Sequence, residues 1–421
     1  MQLKLHWQIL IALLLAVFVG WLVSPETSLL GVSLVSVFDF VGKLFLNALK
    51  MIIVPLIVSS IIMGVSNLGS GDAFGRLGSK TLLYYVVTST VAILIGITVV
   101  NIVQPGIVDG VPAKDMLGLS EDTSMVMEKV EGKSAGDVVG IFLRMIPTNI
   151  VKAASEGQML GLIFFSLLFG FFMTKLKSDT GNMLRTFWQG VFDVMMHITD
   201  LVMKFAPIGV FALVAKVVVI SGFDAFRPLL TFFFTVIIAL LIHIVIVMPL
   251  LLKFIGGVSP IKHYQAMAPA LLTAFSTASS SATLPVTIDC VEDRAGVSNR
   301  VTSFVLPLGA TVNMDGTALY ECVAAIFIAQ AYGLDLTFGT QVSIVVLALM
   351  TSIGVAGIPS ASLVAIAIIL AAIGLPAEGI GLILAVDRVL DMCRTAVNVF
   401  SDSCGAVIIG RTEGEKGILQ A

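Results

Sequence analysis

Charged residues are scarce in this sequence of 421 residues. Lysine and arginine together number 24, aspartate and glutamate number 27, and charged side chains make up 12% of the chain against 57% for hydrophobic ones. Soluble domains carry roughly 25% charged residues, so an ordinary soluble domain is excluded. The apolar runs are long and do not alternate with polar residues, which favours membrane-spanning helices over a barrel.

Cysteine and histidine are equally rare, with four of each. The cysteines lie in or beside apolar segments without the spacing of a metal or redox motif, and we expect free, packed thiols. They are Cys290, Cys322, Cys393 and Cys404. The histidines are scattered, and the sequence assigns a role to none of them. They are His6, His197, His243 and His263. The net charge of −3 favours no nucleic-acid partner.

Motifs of enzymes are missing as well. The serine runs have no G-x-S-x-G elbow and no histidine or lysine in a recognisable partner arrangement. The nearest approach to a phosphate-binding loop, residues 75–81, lacks the Gly-Lys-Ser/Thr ending. We therefore expect neither a hydrolase nor an ATP-driven pump, so ion gradients would supply the energy for any transport.

Basic residues mark alternate connectors between eight apolar segments. Arg76, Lys177 and Arg411 follow such segments, whereas the connector after the third segment is rich in acidic residues. By the positive-inside rule this pattern predicts a multi-pass protein of the cell (inner) membrane with both termini in the cytoplasm. Trp7, Gln8 and the missing cleavage pattern predict an uncleaved first span rather than a signal peptide.

The last apolar segment, residues 382–409, carries charge at membrane depth. At about 100° per residue on a helix, five polar side chains share one narrow stripe, and Arg388 points about 100° away from it. The stripe consists of Asp387, Asp391, Arg394, Asn398 and Asp402. A charged group at mid-bilayer costs roughly 3 kcal/mol even on a lenient insertion scale, so this stripe cannot face lipid. It predicts one wall of a site for ions and a substrate.

Two stretches, residues 275–285 and 352–362, interrupt the apolar pattern with serine, threonine, glycine and proline. Each lies between apolar arms too short to span singly, which is typical of paired re-entrant hairpins at a transporter site. Helix ends at such tips aim N–H groups inward, which suits a carboxylate. The alternative is two kinked, serine-rich helices whose small residues only permit close packing.

A third interruption, residues 309–317, contains Asn313 and Asp315 next to glycine, which favours a non-helical turn. Oxygen atoms presented there would suit a hard cation such as sodium. The alternative is a polar kink with Asp315 in a structural ion pair. Glu321 follows about one turn further on, and it is either a proton carrier or a residue near the membrane edge.

These features resemble the glutamate transporter family of dicarboxylate/amino acid:cation symporters. The resemblance covers essentially the whole chain and rests on LFLNALKMIIVP at 44–55, SSSATLP at 279–285, NMDGT at 313–317, GIP at 357–359 and DxxxDxxRTxxNxxxD at 387–402. It implies an all-α polytopic membrane protein with eight transmembrane segments, two re-entrant helical hairpins and inverted repeats. It also implies a homotrimer in membrane lipid, an elevator movement, and sodium-coupled uptake of an acidic amino acid.

The resemblance further implies that the chain divides into two parts. Scaffold and trimerisation segments would occupy residues 1–78 and 137–222, and an extracellular acidic loop would occupy residues 105–136. The transport domain would comprise residues 79–104 and 223–421. Its second part would contain segment 6, hairpin 1 at about 258–297, segment 7 at about 298–332, hairpin 2 at about 335–372 and segment 8 at about 373–410.

Site residues are implied one by one at the matching motif positions. Arg394 would bind the side-chain carboxylate of the substrate and Asp391 its α-amino group, while Asp387 would orient Arg394. The other substrate-binding positions would be Ser279, Ser280, Ser281, Met314, Thr317, Ile358, Ser362, Thr395 and Asn398. Sodium ions would be bound by Tyr85, Thr88, Ser89, Gly309, Thr311, Asn313, Met314, Asp315, Ser352, Ile353, Asn398 and Asp402.

The same residues bear on the cargo and on its coupling. Asp391 has no other evident partner than an ammonium group, which disfavours a plain dicarboxylate. A buried, unpaired Arg394 would be costly with a neutral amino acid. Relatives carry an arginine at one of two places where this chain has Ala278 and Met392, so the electrostatics of the site differ from theirs. Glu321 matches the animal acidic transporters, which leaves proton coupling or potassium antiport as alternatives to sodium, beside a neutral amino acid or dicarboxylate cargo.

Overall fold

The computed structural model describes residues 5–29, 31–66, 76–114, 116–117, 146–155, 159–222, 226–334, 336–352, 361–375 and 379–419. These residues are mostly helical. Their α-helices are α1 (Leu5–Leu22), α2 (Leu34–Ser66), α3 (Arg76–Val103), α4 (Ile150–Ser155), α5 (Met159–Met173), α6 (Ser178–Lys204), α7 (Ala206–Ser221), α8 (Phe226–Ile242), α9 (Met248–Phe254), α10 (Pro260–Thr277), α11 (Ser280–Asp289), α12 (Asn299–Val312), α13 (Asp315–Ala331), α14 (Phe338–Ser352), α15 (Ala361–Ile373) and α16 (Ile380–Thr412). Two π-helical segments, His243–Val247 and Cys290–Arg294, continue α8 and α11.

Two short antiparallel hairpins, with strands of two residues each, accompany the helices. Strand β1 (Ser28–Leu29) pairs with β2 (Val32–Ser33), and β3 (Ile107–Val108) pairs with β4 (Val111–Pro112). Between β3 and β4, Asp109 and Gly110 both have positive φ angles, of 53° and 82°. An Asp-Gly pair in this conformation is a two-residue hairpin turn, so the connector after α3 begins with ordered structure.

Long apolar helices fit the predicted membrane protein. Among the described residues, three helices are long and apolar enough to cross a membrane: Arg76–Val103, Phe226–Phe254 and Asn299–Ala331. A pair bent by 50°, Ser178–Val202 with Ala206–Ile220, adds a fourth crossing if it counts as one span. The arrangement of eight spans with two re-entrant hairpins stays a prediction.

Two of the predicted interruptions coincide with breaks between helices. Asn313 and Met314 are non-helical and separate α12 from α13. Helices α10 and α11 pack against each other and meet at Ala278, whose φ of 51° is left-handed. The hydroxyl of Ser279 then accepts a hydrogen bond from the N–H of Ala282 and caps α11. Helices α14 and α15 also pack together, but the Gly/Pro stretch between them, residues 353–360, lies outside the described residues.

The helices pack in two sets. Helices α1, α2, α5, α6 and α7 contact one another mainly through α2 and α7. Helices α3 and α8 to α16 form the second set, in which α13 is almost entirely buried. Helix α16 contacts α8, α10, α12 and α13, so protein surrounds its polar stripe on several sides.

Ion pairs fix the end of α16 to the beginnings of α3 and α12. The Glu413 carboxylate lies 2.9 Å from Arg76, 2.6 Å from Lys80 and 3.0 Å from Arg300. Hydrogen bonds from Arg76 and then Lys80 lower the pKa of Glu413 to about 2. The carboxylate therefore stays charged under all ordinary conditions.

Glu413→Gln is expected to lower the free energy of unfolding by about 1 kcal/mol at pH 7, because solvent screens the exposed Arg76 and Arg300. The pKa of folded Glu413 lies below its ordinary value of 4.5, so the stabilisation is present above pH 4.5 and is lost as the pH falls towards 2. Thermal unfolding midpoints of parent and variant should differ at pH 7 and converge near pH 2. A difference that stays constant with pH would contradict this role of Glu413.

Candidate functional site

Helix α16 carries the predicted polar stripe as one continuous element. Its five members project from successive turns, and each is at most 3% exposed. They are Asp387, Asp391, Arg394, Asn398 and Asp402. The helical period places them on one face, and α13 covers that face with its own polar N-terminal turn.

Arg394 lies at the centre of a buried charge cluster. Its Nη1 donates to Asp387 Oδ1 at 3.0 Å, and its Nη2 donates to Asp391 Oδ1 at 2.8 Å. The guanidinium carbon lies 4.3 Å from the ring centre of Tyr320, whose hydroxyl donates to Asp387 at 2.9 Å. Asp387 and Tyr320 therefore both contact the guanidinium group of Arg394.

Asp391 has more partners than the sequence indicates. Arg388 Nη1 lies 3.3 Å from Asp391 Oδ2, so two expectations are wrong. Arg388 does not stand apart from the stripe, and Asp391 does have a partner other than an ammonium group. The angle of about 100° separates Arg388 from Asp387, not from Asp391. Residues three apart on a helix are neighbours, and this spacing is the sequence signal that predicts the pair of Arg388 and Asp391.

Asn398 connects α16 to the first turn of α13. Its Oδ1 accepts from the N–H of Gly316 at 2.8 Å, and its Nδ2 donates to the Thr317 hydroxyl at 3.0 Å. A Cβ at Gly316 would lie 2.7 Å from the carbonyl oxygen of Arg394, so glycine is what allows this approach. The N-terminus of α13, which favours negative charge, thus lies beside the arginine cluster.

A second cluster surrounds Asp315 and consists mainly of oxygen atoms. Ser89 and Ser401 each donate to Asp315 at 2.6 Å, and the Thr88 hydroxyl lies 3.3 Å away. His243 Nε2 lies 3.1 Å from Asp315 Oδ2, although the sequence gives His243 no role. Asp315 therefore has a possible basic partner, as the alternative of a structural pair requires, and also the oxygen neighbours that a cation needs.

Asn313 joins this cluster to Asp402. Its Nδ2 donates to Asp402 Oδ1 at 2.8 Å and to the Ser401 hydroxyl at 3.1 Å. The hydroxyl of Tyr85, from α3, donates to the Val305 carbonyl at 2.6 Å. The break after α12 thus brings together the side chains that the resemblance assigns to sodium, from α3, α12, α13 and α16.

If the chain binds sodium as the resemblance implies, Gly309→Ala is expected to raise the sodium concentration for half-maximal substrate uptake about tenfold. A Cβ there would lie 2.5 Å from Asp402 Oδ1 and 2.9 Å from the Tyr85 hydroxyl, and buried groups that are packed this tightly resist an added methyl. A sodium titration of uptake measures the effect. Gly190→Ala is the matched control, because a Cβ at Gly190 meets nothing within 4 Å. Parental sodium dependence in Gly309→Ala would show that Asp402 has no part in cation binding.

The serines of the predicted hairpins differ in their surroundings. Ser280 is buried, Ser279 is half-buried and Ser281 is exposed, so the structure does not bring Ser281 into the buried site. On the second hairpin, the Ser352 hydroxyl donates to a carbonyl of its own helix. Ser362 is 2% exposed, and its hydroxyl has no hydrogen-bond partner among the described residues, so it has capacity to bind a ligand.

The remaining predicted positions are Met314, Thr311, Thr395, Ile353 and Ile358. Met314 is buried in the break itself, whereas Thr311 is half-buried, with its hydroxyl directed to carbonyls of α12. Thr395 is buried and donates to the Asp391 carbonyl at 2.7 Å. Ile353 and Ile358 lie outside the described residues.

Glu321 is fully buried in α13. Its Oε2 accepts from the Thr351 hydroxyl of α14 at 2.8 Å. Its Oε1 has no hydrogen-bond partner among the described residues. The carboxyl group of Glu321 thus contacts α14.

Tyr320, Ser401 and Thr351 contact predicted site residues, although the sequence assigns them no role. Tyr320 lies three residues after Thr317, which places both on one face of α13, and Ser401 directly precedes Asp402. Helical spacing alone could have suggested these two. Thr351 is 30 residues away from Glu321, and no local pattern joins them.

Charged side chains are buried on a long apolar helix, α16, and the breaks between α10 and α11 and between α12 and α13 interrupt two helices that pack against it. This arrangement is typical of a membrane transport protein. The model of the sodium:dicarboxylate symporter family matches residues 5–412. The chain belongs to this family, which confirms the resemblance, and it is a transporter rather than an enzyme.

Known relatives match nearly the whole chain. It is 36% identical to the "Proton/glutamate-aspartate symporter" of Escherichia coli (strain K12) over 410 residues, which is 97% of this chain and 93% of the relative. It is 35% identical to the "Proton/sodium-glutamate symport protein" of Bacillus caldotenax over 416 residues, 98% of this chain and 96% of the relative. It is 37% identical to "Excitatory amino acid transporter 3" of Mus musculus over 450 residues, 97% and 86% of the two chains.

Proposed function

We propose that this protein is a secondary active symporter that couples sodium influx to uptake of an acidic amino acid, L-aspartate or L-glutamate. The observation that carries the proposal is the buried Arg394 between Asp387 and Asp391. The two bacterial relatives described above, which are named glutamate or glutamate-aspartate symporters, support the choice of cargo.

The cluster can exchange partners without leaving a charge unpaired. The planar guanidinium of Arg394 fits a carboxylate through two parallel hydrogen bonds. When it turns from Asp391 to the side-chain carboxylate of the substrate, Asp391 becomes available to the substrate ammonium group. Such an exchange avoids the large cost of a buried unpaired ion, and it needs a substrate with both groups.

The α-carboxylate of the substrate would lie near Asn398 and Ser280. Thr317 would contact the side-chain carboxylate, and Thr395 and Met314 would lie nearby. The first turn of α13 lies beside Asn398, and its N–H groups favour an anion. The buried hydroxyl of Ser362 would serve the same ligand from the second hairpin. Ser279, Ser281 and Ile358 would complete the hairpin tips.

Sodium ions would bind at the break after α12. Asp315 and Asp402 supply two carboxylates, and Asn313, Thr88, Ser89 and the carbonyl of Gly309 supply further oxygens. Sodium is a hard cation that prefers such ligands. Tyr85 would border the sodium site on the side of Gly309. A further ion would use the carbonyls of Thr311, Ser352 and Ile353, with the Met314 sulfur nearby.

We further propose that the second helix set moves as a transport domain against the first, in a homotrimer within the cell membrane. The packing of α3 and of α8 to α16 among themselves supports this division. It corresponds to residues 79–104 and 223–421, against scaffold residues 1–78 and 137–222. Both termini would lie in the cytoplasm, since basic residues mark the connectors on that side.

Proton coupling or potassium antiport is the second candidate. The relative from Escherichia coli is named a proton symporter, and that from Bacillus caldotenax a proton/sodium symporter. Glu321 supports this candidate, because it is a buried carboxyl group with one oxygen unpartnered among the described residues. Such groups in membrane proteins serve as proton carriers.

The test is uptake of radiolabelled L-aspartate into proteoliposomes of the purified protein. A sodium gradient and a proton gradient are imposed in turn, each with potassium inside or absent. Uptake driven by sodium alone and unaffected by potassium is the expected result. Uptake that also requires internal potassium or a proton gradient would favour the second candidate. No uptake of aspartate or glutamate under any gradient would refute the proposal, and neutral amino acids and dicarboxylates would be tried next.

A further inference from the structure

Arg388 shares a buried carboxylate with Arg394. Its Nη1 lies 3.3 Å from Asp391 Oδ2, while Arg394 Nη2 lies 2.8 Å from the other oxygen, Oδ1. The side chains of Arg388, Asp391 and Arg394 are 12%, 5% and 2% exposed. One carboxylate thus bridges two guanidinium groups, and each guanidinium has its own oxygen.

The charges of the cluster balance only when Arg388 is included. Asp387 and Asp391 carry two negative charges, and Arg388 and Arg394 carry two positive ones. Without Arg388 the cluster has a net charge of −1, and an acidic amino acid, itself −1, would bring the total to −2. Like charges repel more strongly where water is excluded, so Arg388 removes a repulsion that the substrate would otherwise meet.

Arg388 also has hydrogen-bonding capacity left. Its Nε is buried and has no hydrogen-bond partner among the described residues. A buried donor without a partner costs free energy until one is found. Arg388 lies farther from Asp391 than Arg394 does. Its contact with Asp391 does not depend on Arg394, so it can keep the carboxylate in place when Arg394 turns away.

We propose that Arg388 is a positioning residue of the substrate site. It holds Asp391 Oδ2 while Arg394 transfers to the substrate carboxylate, and it lowers the net negative charge of the occupied cluster from −2 to −1. Asp391 then receives the ammonium group on Oδ1, since a carboxylate has about four acceptor sites. This inference rests on the proposed uptake of an acidic amino acid and adds a residue that its site requires.

The experiment is calorimetric titration of L-aspartate into the purified full-length protein at saturating sodium. The variants are Arg388→Gln, which removes the charge, and Arg388→Lys, which keeps it. Arg411→Gln is the control, because Arg411 is a half-buried arginine of the same helix, about 35 Å along its axis at ~1.5 Å per residue. Sodium affinity and the thermal unfolding midpoint are measured for every variant.

Arg388→Gln is expected to raise the dissociation constant of L-aspartate about tenfold, with Arg388→Lys within about threefold of the parent and Arg411→Gln unchanged. Sodium affinity and the unfolding midpoint should stay near parental values. The inference is overturned by parental affinity in Arg388→Gln, by an equal loss in Arg388→Lys, or by a parallel loss of sodium affinity and stability. If the parent itself binds no L-aspartate or L-glutamate, the proposed function fails and this inference fails with it.

Discussion

Replacing Arg394 by threonine is expected to abolish uptake of L-aspartate. Arg394 is 1% exposed and pairs with Asp387 and Asp391. Loss of one partner of a buried charge pair costs roughly 2–5 kcal/mol, which lowers affinity by a factor of about 30 or more. Uptake of radiolabelled L-aspartate into proteoliposomes measures the effect.

The same variant should change selectivity rather than only remove function. Without the guanidinium, the space beside Asp391 suits a neutral side chain, and we expect weak uptake of serine or alanine. Arg411→Thr controls for the loss of an arginine from the same helix, and retained sodium binding shows that the variant is folded. Undiminished aspartate uptake by Arg394→Thr would refute the assignment of the substrate site.

Asp402→Asn is expected to raise the sodium concentration for half-maximal uptake by about tenfold or more. Affinity for a hard cation depends on the number of charged oxygen ligands, and this change removes one of the two carboxylates at the break after α12. It also turns a hydrogen-bond acceptor of Asn313 into an amide, which weakens the link between α12 and α16. Sodium titration at fixed substrate measures the shift.

Glu413→Gln is the matched control for Asp402→Asn. Both changes remove a carboxylate near or on α16, but Glu413 pairs with Arg76, Lys80 and Arg300 outside the oxygen cluster. Its sodium dependence should equal that of the parent. If Asp402→Asn also gives the parental titration curve, sodium does not bind at this cluster, and proton coupling through Glu321 becomes the better account.

Helical periodicity explains why the stripe on α16 could be predicted from sequence. The angle between side chains on a helix is fixed, and the high cost of a charge in lipid decides which face is buried. The breaks at Asn313 and Ala278 were predictable for a similar reason, since glycine, proline and hydroxyl residues disfavour continuous helix. The sequence predicts a similar break at residues 353–360, which lie outside the described residues, and this break stays a prediction.

Contacts between distant residues could not be predicted in this way. His243 and Ser401 reach Asp315 from two different helices, and Thr351 reaches Glu321 from the arm of a hairpin. Such pairs depend on how helices cross, and local spacing contains no information on crossing. The pairing of Arg388 with Asp391 could have been predicted from their spacing of three residues. The angle of a residue around the helix axis does not show it, because a long side chain can extend over one turn.

The sequence by itself therefore determined the class of protein, its family, the breaks in its helices and the charged face of its last helix. Each follows from composition, local periodicity or motifs that lie within a few turns. Only the tertiary structure decided the other partners of the buried charges: Tyr320 for Arg394, two arginines for Asp391, and hydroxyls with a histidine for Asp315. The physical reason is that a buried charge must be paired, while the choice among partners is made by packing.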